Sequence, residues 1–350
     1  MAWLYTVVGV PVALLVVLLL LVLLLVADIH LAKRRYAAFR RKPRARPFLR
    51  TPDDRFQGLP GYPFSPHYVE IDGLRRHYVD EGPRDAAPIL LLHGEPSWSY
   101  LYRKMIPPLV AAGHRVIAPD LIGFGRSDKL TRQIDYTYQM HVDTVVAFVK
   151  ALDLRDITLF CQDWGGLIGL WVALEEEPRF ARIMASNTGL PGKPPRGNFQ
   201  PVTERGKRTP WYGFAMWFLL SQALPDLPIG RVVQMGARSK LSPEVIAAYD
   251  APFPSRRYKA GARKFPRLVV SEFSRNTAAW LRYAEWKKPF LTAFASGDPI
   301  TRGIDRAMQR VIPGAQGQPH TIVRGAGHFI QEDKGEELAE MLIAFIRSTA

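Results

Sequence analysis

The chain has 350 residues, with 47 Lys and Arg against 32 Asp and Glu for a net charge of +15, and a single cysteine, Cys161. That length suits one large α/β domain with an insertion, or two domains. One cysteine excludes an internal disulfide and a Cys-based metal site, and nothing in the composition calls for a cofactor or metal.

Residues 2–27 carry no charge and are dominated by Leu and Val. As a helix, these 26 residues would reach ~39 Å, enough to cross a hydrocarbon core of ~30 Å. A cleaved signal peptide is the rival reading, but the amino end lacks Lys and Arg and the apolar run exceeds a usual signal core. Nine basic residues and no acidic one follow from Lys33 to Arg50. Their place after an apolar helix favours a membrane partner over nucleic acid. The expectation is therefore an uncleaved anchor over residues 1–32 and a basic, proline-rich juxtamembrane linker over 33–66 facing anionic headgroups. The positive-inside rule then gives a single-pass membrane protein with its catalytic domain in the cytoplasm.

From residue 67 the pattern turns to strands. His67–Ile71 and Leu74–Val79 make a hairpin around Asp72-Gly73. Ile89–Leu92 reads as a buried strand ending at His93-Gly94-Glu95-Pro96, with a helix-compatible stretch around Tyr100–Ala111. Val116–Ala118 follows, and Met140–Leu152 has helical apolar spacing. Strand 157–161, a helix to about Glu177 and strand Ile183–Ser186 complete an alternation that implies a mostly parallel sheet with helices on both faces. The rhythm breaks between 189 and 285, which is rich in prolines, aromatics and helix-like segments, such as Ser242-Pro243-Glu244 with its N-cap, N1 proline and acidic first turn. It reads as an inserted helical cap. Strands at Pro289–Ala295 and Thr321–Val323 and a last amphipathic helix resume the core, which thus spans 67–188 and 286–350.

Chemistry concentrates at three strand ends. The run Ile157–Gln162 meets Asp163, then Trp164-Gly165-Gly166 and an apolar helix. That layout of strand, sharp turn and helix is a nucleophile elbow with a carboxylate at its tip. A serine displacing a leaving group from an alkyl carbon would leave an ether that water cannot readily open, whereas a carboxylate forms a hydrolysable ester. Asp163 thus points to attack on sp³ carbon, in a carbon–halogen bond or an epoxide; the plainer alternative is an aspartate capping the next helix. Asp298 and His328 also follow strands, and the chain order of nucleophile, acid and histidine is that of α/β-hydrolases.

These motifs together resemble the haloalkane dehalogenases, in the subgroup whose charge-relay acid follows the strand after the cap. The resemblance is carried by His93-Gly94-Glu95-Pro96-Ser97-Trp98-Ser99-Tyr100-Leu101-Tyr102-Arg103-Lys104-Met105-Ile106-Pro107 and Gly123-Phe124-Gly125-Arg126-Ser127-Asp128-Lys129. Gln162-Asp163-Trp164-Gly165-Gly166, Ala251-Pro252-Phe253-Pro254 and Gly325-Ala326-Gly327-His328-Phe329 complete it. It implies an α/β-hydrolase fold and hydrolytic dehalogenation of a haloalkane to an alcohol and halide. In that scheme Asp163 forms an alkyl ester that His328, oriented by Asp298, cleaves with water. Backbone N–H groups of Glu95 and Trp164 form an oxyanion hole. The halide rests between the indoles of Trp164 and a cap tryptophan, Trp217, with Trp211 as runner-up. Two departures stand out. Cys161 replaces the usual small or branched residue and reads as buried packing, and Pro299 follows the acid, leaving Asp305 as the fallback. The same triad serves epoxide hydrolysis if cap tyrosines such as Tyr212 or Tyr249 donate a proton. A non-catalytic membrane scaffold is the reading from a different class.

Overall fold

A computed structural model describes residues 46–195 and 212–350. In its first half, β1 (Phe48–Leu49), β2 (His67–Ile71), β3 (Leu74–Glu81) and β4 (Pro88–Leu92) precede α1 (Ile106–Ala111). β5 (Arg115–Pro119), β6 (Lys129–Leu130), α2 (Tyr138–Ala151), β7 (Ile157–Gln162), α3 (Trp164–Glu175) and β8 (Phe180–Ser186) follow. Among the described residues, helices alone come next: α4 (Tyr212–Ala223), α5 (Ile229–Gly236), α6 (Pro243–Asp250), α7 (Ala260–Ser271) and α8 (Phe273–Tyr283). The chain ends with β9 (Phe290–Ala295), α9 (Asp305–Val311), β10 (Thr321–Val323) and α10 (Ile330–Ser348).

Eight strands join in one sheet in the order β10-β9-β8-β7-β4-β5-β3-β2. The six from β10 to β5 run parallel, and β3 and β2 add antiparallel at one edge. Residues buried on both sides of a parallel sheet have no polar face, so its strands read as continuous apolar runs. β4, β7 and β9 are buried at every position. The β2–β3 hairpin turns at Asp72 (φ 52°) and Gly73 (φ 72°), the pair of left-handed residues that a tight hairpin requires. α2 starts where Thr137 accepts the Met140 N–H at 3.1 Å, and α6 starts at the predicted Ser242 cap, with Pro243 in its first turn.

The helical stretch between β8 and β9 is tied down by polar contacts from distant parts of the chain. Trp98 Nε1 donates to Ala248 O at 3.2 Å, and Thr51 Oγ1 donates to Pro252 O at 2.7 Å. Tyr249 OH donates to Glu332 Oε1, a carboxylate already paired with Arg103 through Nη1 and Nη2. Removing one partner of such a buried pair costs about 3–5 kcal/mol, because the other charge stays behind without compensation.

The membrane placement expected from the amino-terminal residues is corrected. Among the described residues no helix is long and apolar enough to cross a membrane. The longest, α10, carries charges along much of its length, and each would have to leave water for hydrocarbon. The expected anchor, residues 1–32, lies outside the described residues, as does the first part of the basic linker, residues 33–45. The expectation of single-pass localisation, with its lipid partners, is withdrawn.

Candidate active site

β7 lies between β4 and β8 in register, with Leu92 opposite Cys161 and Gln162 opposite Ser186. One step beyond these pairs the chain leaves the sheet at three neighbouring points: the His93-Gly94-Glu95 loop, Asp163 and Asn187. Asp163 occupies the turn with φ 52° and ψ −127°, a strained conformation for a residue with a Cβ. The turn tolerates no bulk around it. A Cβ on Gly165 would lie 1.8 Å from Leu92 O, and one on Gly94 would lie 2.2 Å from Asp163 Oδ1.

Each oxygen of the Asp163 carboxylate has its own neighbour. The Glu95 N–H donates to Oδ1 at 2.7 Å, and His328 Nε2 stands 3.4 Å from Oδ2. On the far side of the imidazole, Nδ1 is 3.1 Å from Asp298 Oδ1. Asp298 is fixed by the Ile300 N–H at 2.9 Å, the Thr301 N–H at 3.2 Å and the Thr301 hydroxyl. Pro299 has no N–H, so the donors come from the next two residues and the turn closes around the carboxylate. Asp305 is instead the first residue of α9, and it is Asp298 whose carboxylate meets the imidazole.

Burial alone would pull the His328 pKa down, but the charges of Asp298 and Asp163 outweigh it and push it up to about 10. Burial would raise Asp298, yet the His328 charge and the Thr301 and Ile300 donors hold it below the usual carboxylate range. Burial, with the Asp163 charge added, pushes the Glu95 carboxyl well above that range.

Trp164 is buried at the start of α3, packed edge-on to Phe265 with ring centroids 4.5 Å apart and tilted against Tyr138 at 6.0 Å. Trp217 sits half-buried on α4 and makes no ring contact with Trp164 among the described residues. Trp211 and the side chain of Tyr212 lie outside the described residues. Cys161 is buried in β7 and its thiol is pushed up by that burial, which makes it packing rather than a nucleophile.

Residues without an expected role also build the site. Asn187, at φ 39°, accepts the Asp163 N–H on its carbonyl at 3.0 Å. Its side-chain amide donates to Gly327 O and His328 O, both at 2.9 Å, while Oδ1 accepts from Ala295 N at 2.8 Å. One residue, through its carbonyl and its side chain, therefore links the segments bearing all three expected catalytic residues. Gln162 Nε2 adds a bond to His328 O at 3.0 Å. His93 accepts the Leu121 N–H on Nε2 at 2.9 Å and contacts Gly94 O through Nδ1 at 2.8 Å, which sets its tautomer and fixes the loop carrying Glu95. The only sequence sign of Asn187 is a polar residue just past a buried strand.

Residues 87–335 match the family model of the alpha/beta hydrolase fold. A haloalkane dehalogenase of Psychrobacter cryohalolentis is 53% identical over 308 residues, covering 85% of this chain and 97% of the relative. One from Mycobacterium marinum is 52% identical over 307 residues, covering 85% and 99%. The tetrameric haloalkane dehalogenase DpaA of Paraglaciecola agarilytica NO2 superposes with a TM-score of 0.74 at 35% identity, covering 85% of this chain and 98% of that one. Nearly the whole of each relative is thus accounted for. At this identity, over this share of the sequence, the chain belongs to the haloalkane dehalogenases, hydrolases of the α/β-hydrolase fold.

Proposed function

We propose that Asp163 is the nucleophile of hydrolytic dehalogenation and that the reaction passes through an alkyl ester on it. The observation that carries this reading is the division of labour on one carboxylate, with Glu95 N–H on Oδ1 and His328 Nε2 beside Oδ2. Oδ1 is held, so Oδ2 attacks the carbon while the carbon–halogen bond breaks and the halide leaves with its electron pair. The Trp164 and Trp217 indole N–H groups receive the halide as weak donors that also let it go. Trp164 N–H opens a helix whose first donors lack intrahelical partners, which suits it to the oxyanion hole beside Glu95 N–H. Phe265 of α7, within the expected cap of residues 189–285, packs against Trp164 and screens the site from water.

Alkylation removes the Asp163 charge that raises His328. The imidazolium releases its proton to solvent, the one proton the overall reaction produces, and becomes a base. It then takes a proton from water, whose oxygen attacks the Asp163 acyl carbon. The alkoxide leaves as alcohol, and Asp163 is restored as a carboxylate. Asp298 holds the ring in the required orientation and balances its positive charge. Epoxide opening has less support, because Tyr249 spends its hydroxyl on Glu332.

The test is mass spectrometry of His328→Phe after incubation with 1,2-dibromoethane. A stoichiometric bromoethyl adduct on the peptide containing Asp163 is expected. An unmodified peptide, or an adduct elsewhere, refutes the assignment. Diol formation from styrene oxide exceeding bromide release from dibromoethane favours the epoxide reading instead.

A further inference from the structure

α10 does not begin as one continuous helix. Lys334, at φ −144° and ψ 37°, breaks it, so Ile330–Asp333 is a separate turn directly after the His328 loop. Asp333 at the end of that turn gathers backbone donors from two places. The Gly327 N–H reaches Oδ2 at 2.8 Å. From the α5–α6 connection, Arg238 N–H lies 2.9 Å from Oδ2 and 3.0 Å from Oδ1, and Ser239 N–H lies 2.6 Å from Oδ1. One carboxylate thus joins the residue before His328 to a segment roughly 95 positions away.

An independent contact welds the same two segments. Phe329 N–H donates to Gly236 O at 3.3 Å. A Cβ on Gly327 would sit 2.3 Å from Gly236 O, and one on Gly236 would sit 2.6 Å from the Phe329 ring. His328 is therefore flanked on both sides by residues bound to the end of α5 or to the loop after it. Neither contact touches the imidazole; both fix the backbone from which it projects.

We propose that Asp333 is a positioning residue that locks the His328 loop to the α5–α6 connection, so the helical insertion sets the reach of the imidazole toward the Asp163 ester. This rests on the reading of His328 as the base that cleaves that ester. An error of about 1 Å in such a group can cost about 10²-fold in rate, so partial loosening should be visible in one step of the reaction only. Alkylation depends on Asp163 and the halide donors, and hydrolysis depends on His328.

The experiment is rapid-quench kinetics of the full chain with 1,2-dibromoethane, following bromide burst and alkyl-enzyme by mass spectrometry. Asp333→Ala, Asp333→Asn and His328→Phe are compared with wild type. For Asp333→Ala, ester hydrolysis should slow about tenfold and alkyl-enzyme accumulate, with the bromide burst within about twofold of wild type. The near-isosteric Asp333→Asn keeps one acceptor and should fall between; it serves alone if the alanine variant does not fold. Proportional loss in both steps, or no change in either, overturns the proposal. If His328→Phe accumulates alkyl-enzyme and the Asp333 variants do not, only the Asp333 assignment falls. If His328→Phe accumulates none, the covalent reading falls and this one with it.

Discussion

Among the described residues, two buried His–Asp pairs differ in what surrounds the imidazole, and only one belongs to the proposed catalytic site. His77 Nδ1 meets Asp120 Oδ2 at 2.7 Å, shorter than the 3.1 Å between His328 and Asp298. Both His77 and Asp120 are fully buried. Asp120 also accepts Ser99 N–H and Arg126 N–H, each at 2.8 Å, so it staples three loops together. The far nitrogen of His77, Nε2, is buried with no partner among the described residues, whereas the far nitrogen of His328 faces a second carboxylate. Burial lowers the His77 pKa despite Asp120, while two carboxylates raise His328. The two pairs thus differ in what stands on the other side of the ring, and on that difference the proposed roles rest.

The largest effect that would sharpen this contrast is Asp163→Asn. Halide release should fall by at least about 10⁴-fold while circular dichroism and the melting temperature stay near wild type. Unchanged release would place the nucleophile elsewhere. Next come the two acids, exchanged for alanine in parallel. Asp298→Ala should lower turnover about 10³-fold or more with a modest change in melting temperature. Asp120→Ala should do the reverse, costing about 3 kcal/mol of stability by denaturant titration, since several buried donors lose their acceptor. The comparison breaks if the two variants show the same balance of activity and stability.

The two histidines should also answer pH in opposite directions. The folded-state pKa of His328 is raised, so its contribution to stability is complete below the unfolded value of ~6.5 and is lost as pH climbs toward about 10. The melting-temperature gap between wild type and His328→Gln should therefore narrow from pH 7 to pH 10. The His77 pKa is lowered, so its burial costs stability only as pH falls below ~6.5, and His77→Gln should flatten that acid-side loss. The smallest effect belongs to the halide donors. Trp164→Phe should lower kcat/KM by about tenfold, the scale of one lost hydrogen bond to a charged group, and Trp217→Phe by less. Equal effects would assign both indoles the same weight.

Much of this was legible before any coordinates, for local reasons. Buried parallel strands must be apolar throughout, so β4, β7 and β9 stood out as runs. Asp163 stood out because a sharp turn packed against neighbouring backbone needs Gly165 and Gly166 just after it. The N-cap at Ser242 and the hairpin at Asp72-Gly73 follow the same logic. The amino-terminal reading went astray because apolar length and flanking charge measure only what a segment would do in lipid. Asn187, Asp333 and the Arg103–Glu332–Tyr249 cluster left no pattern, since each acts on a partner far away in sequence.

What the chain alone determined was the placing of the candidate groups at strand ends and their order, because strand ends and turns are written within a few residues of themselves. Tertiary structure decided which histidine lies beside Asp163, which second carboxylate meets its far side, and that Tyr249 is committed elsewhere. Those choices depend on hydrogen bonds between segments tens to hundreds of residues apart, formed only when the sheet aligns its strand ends.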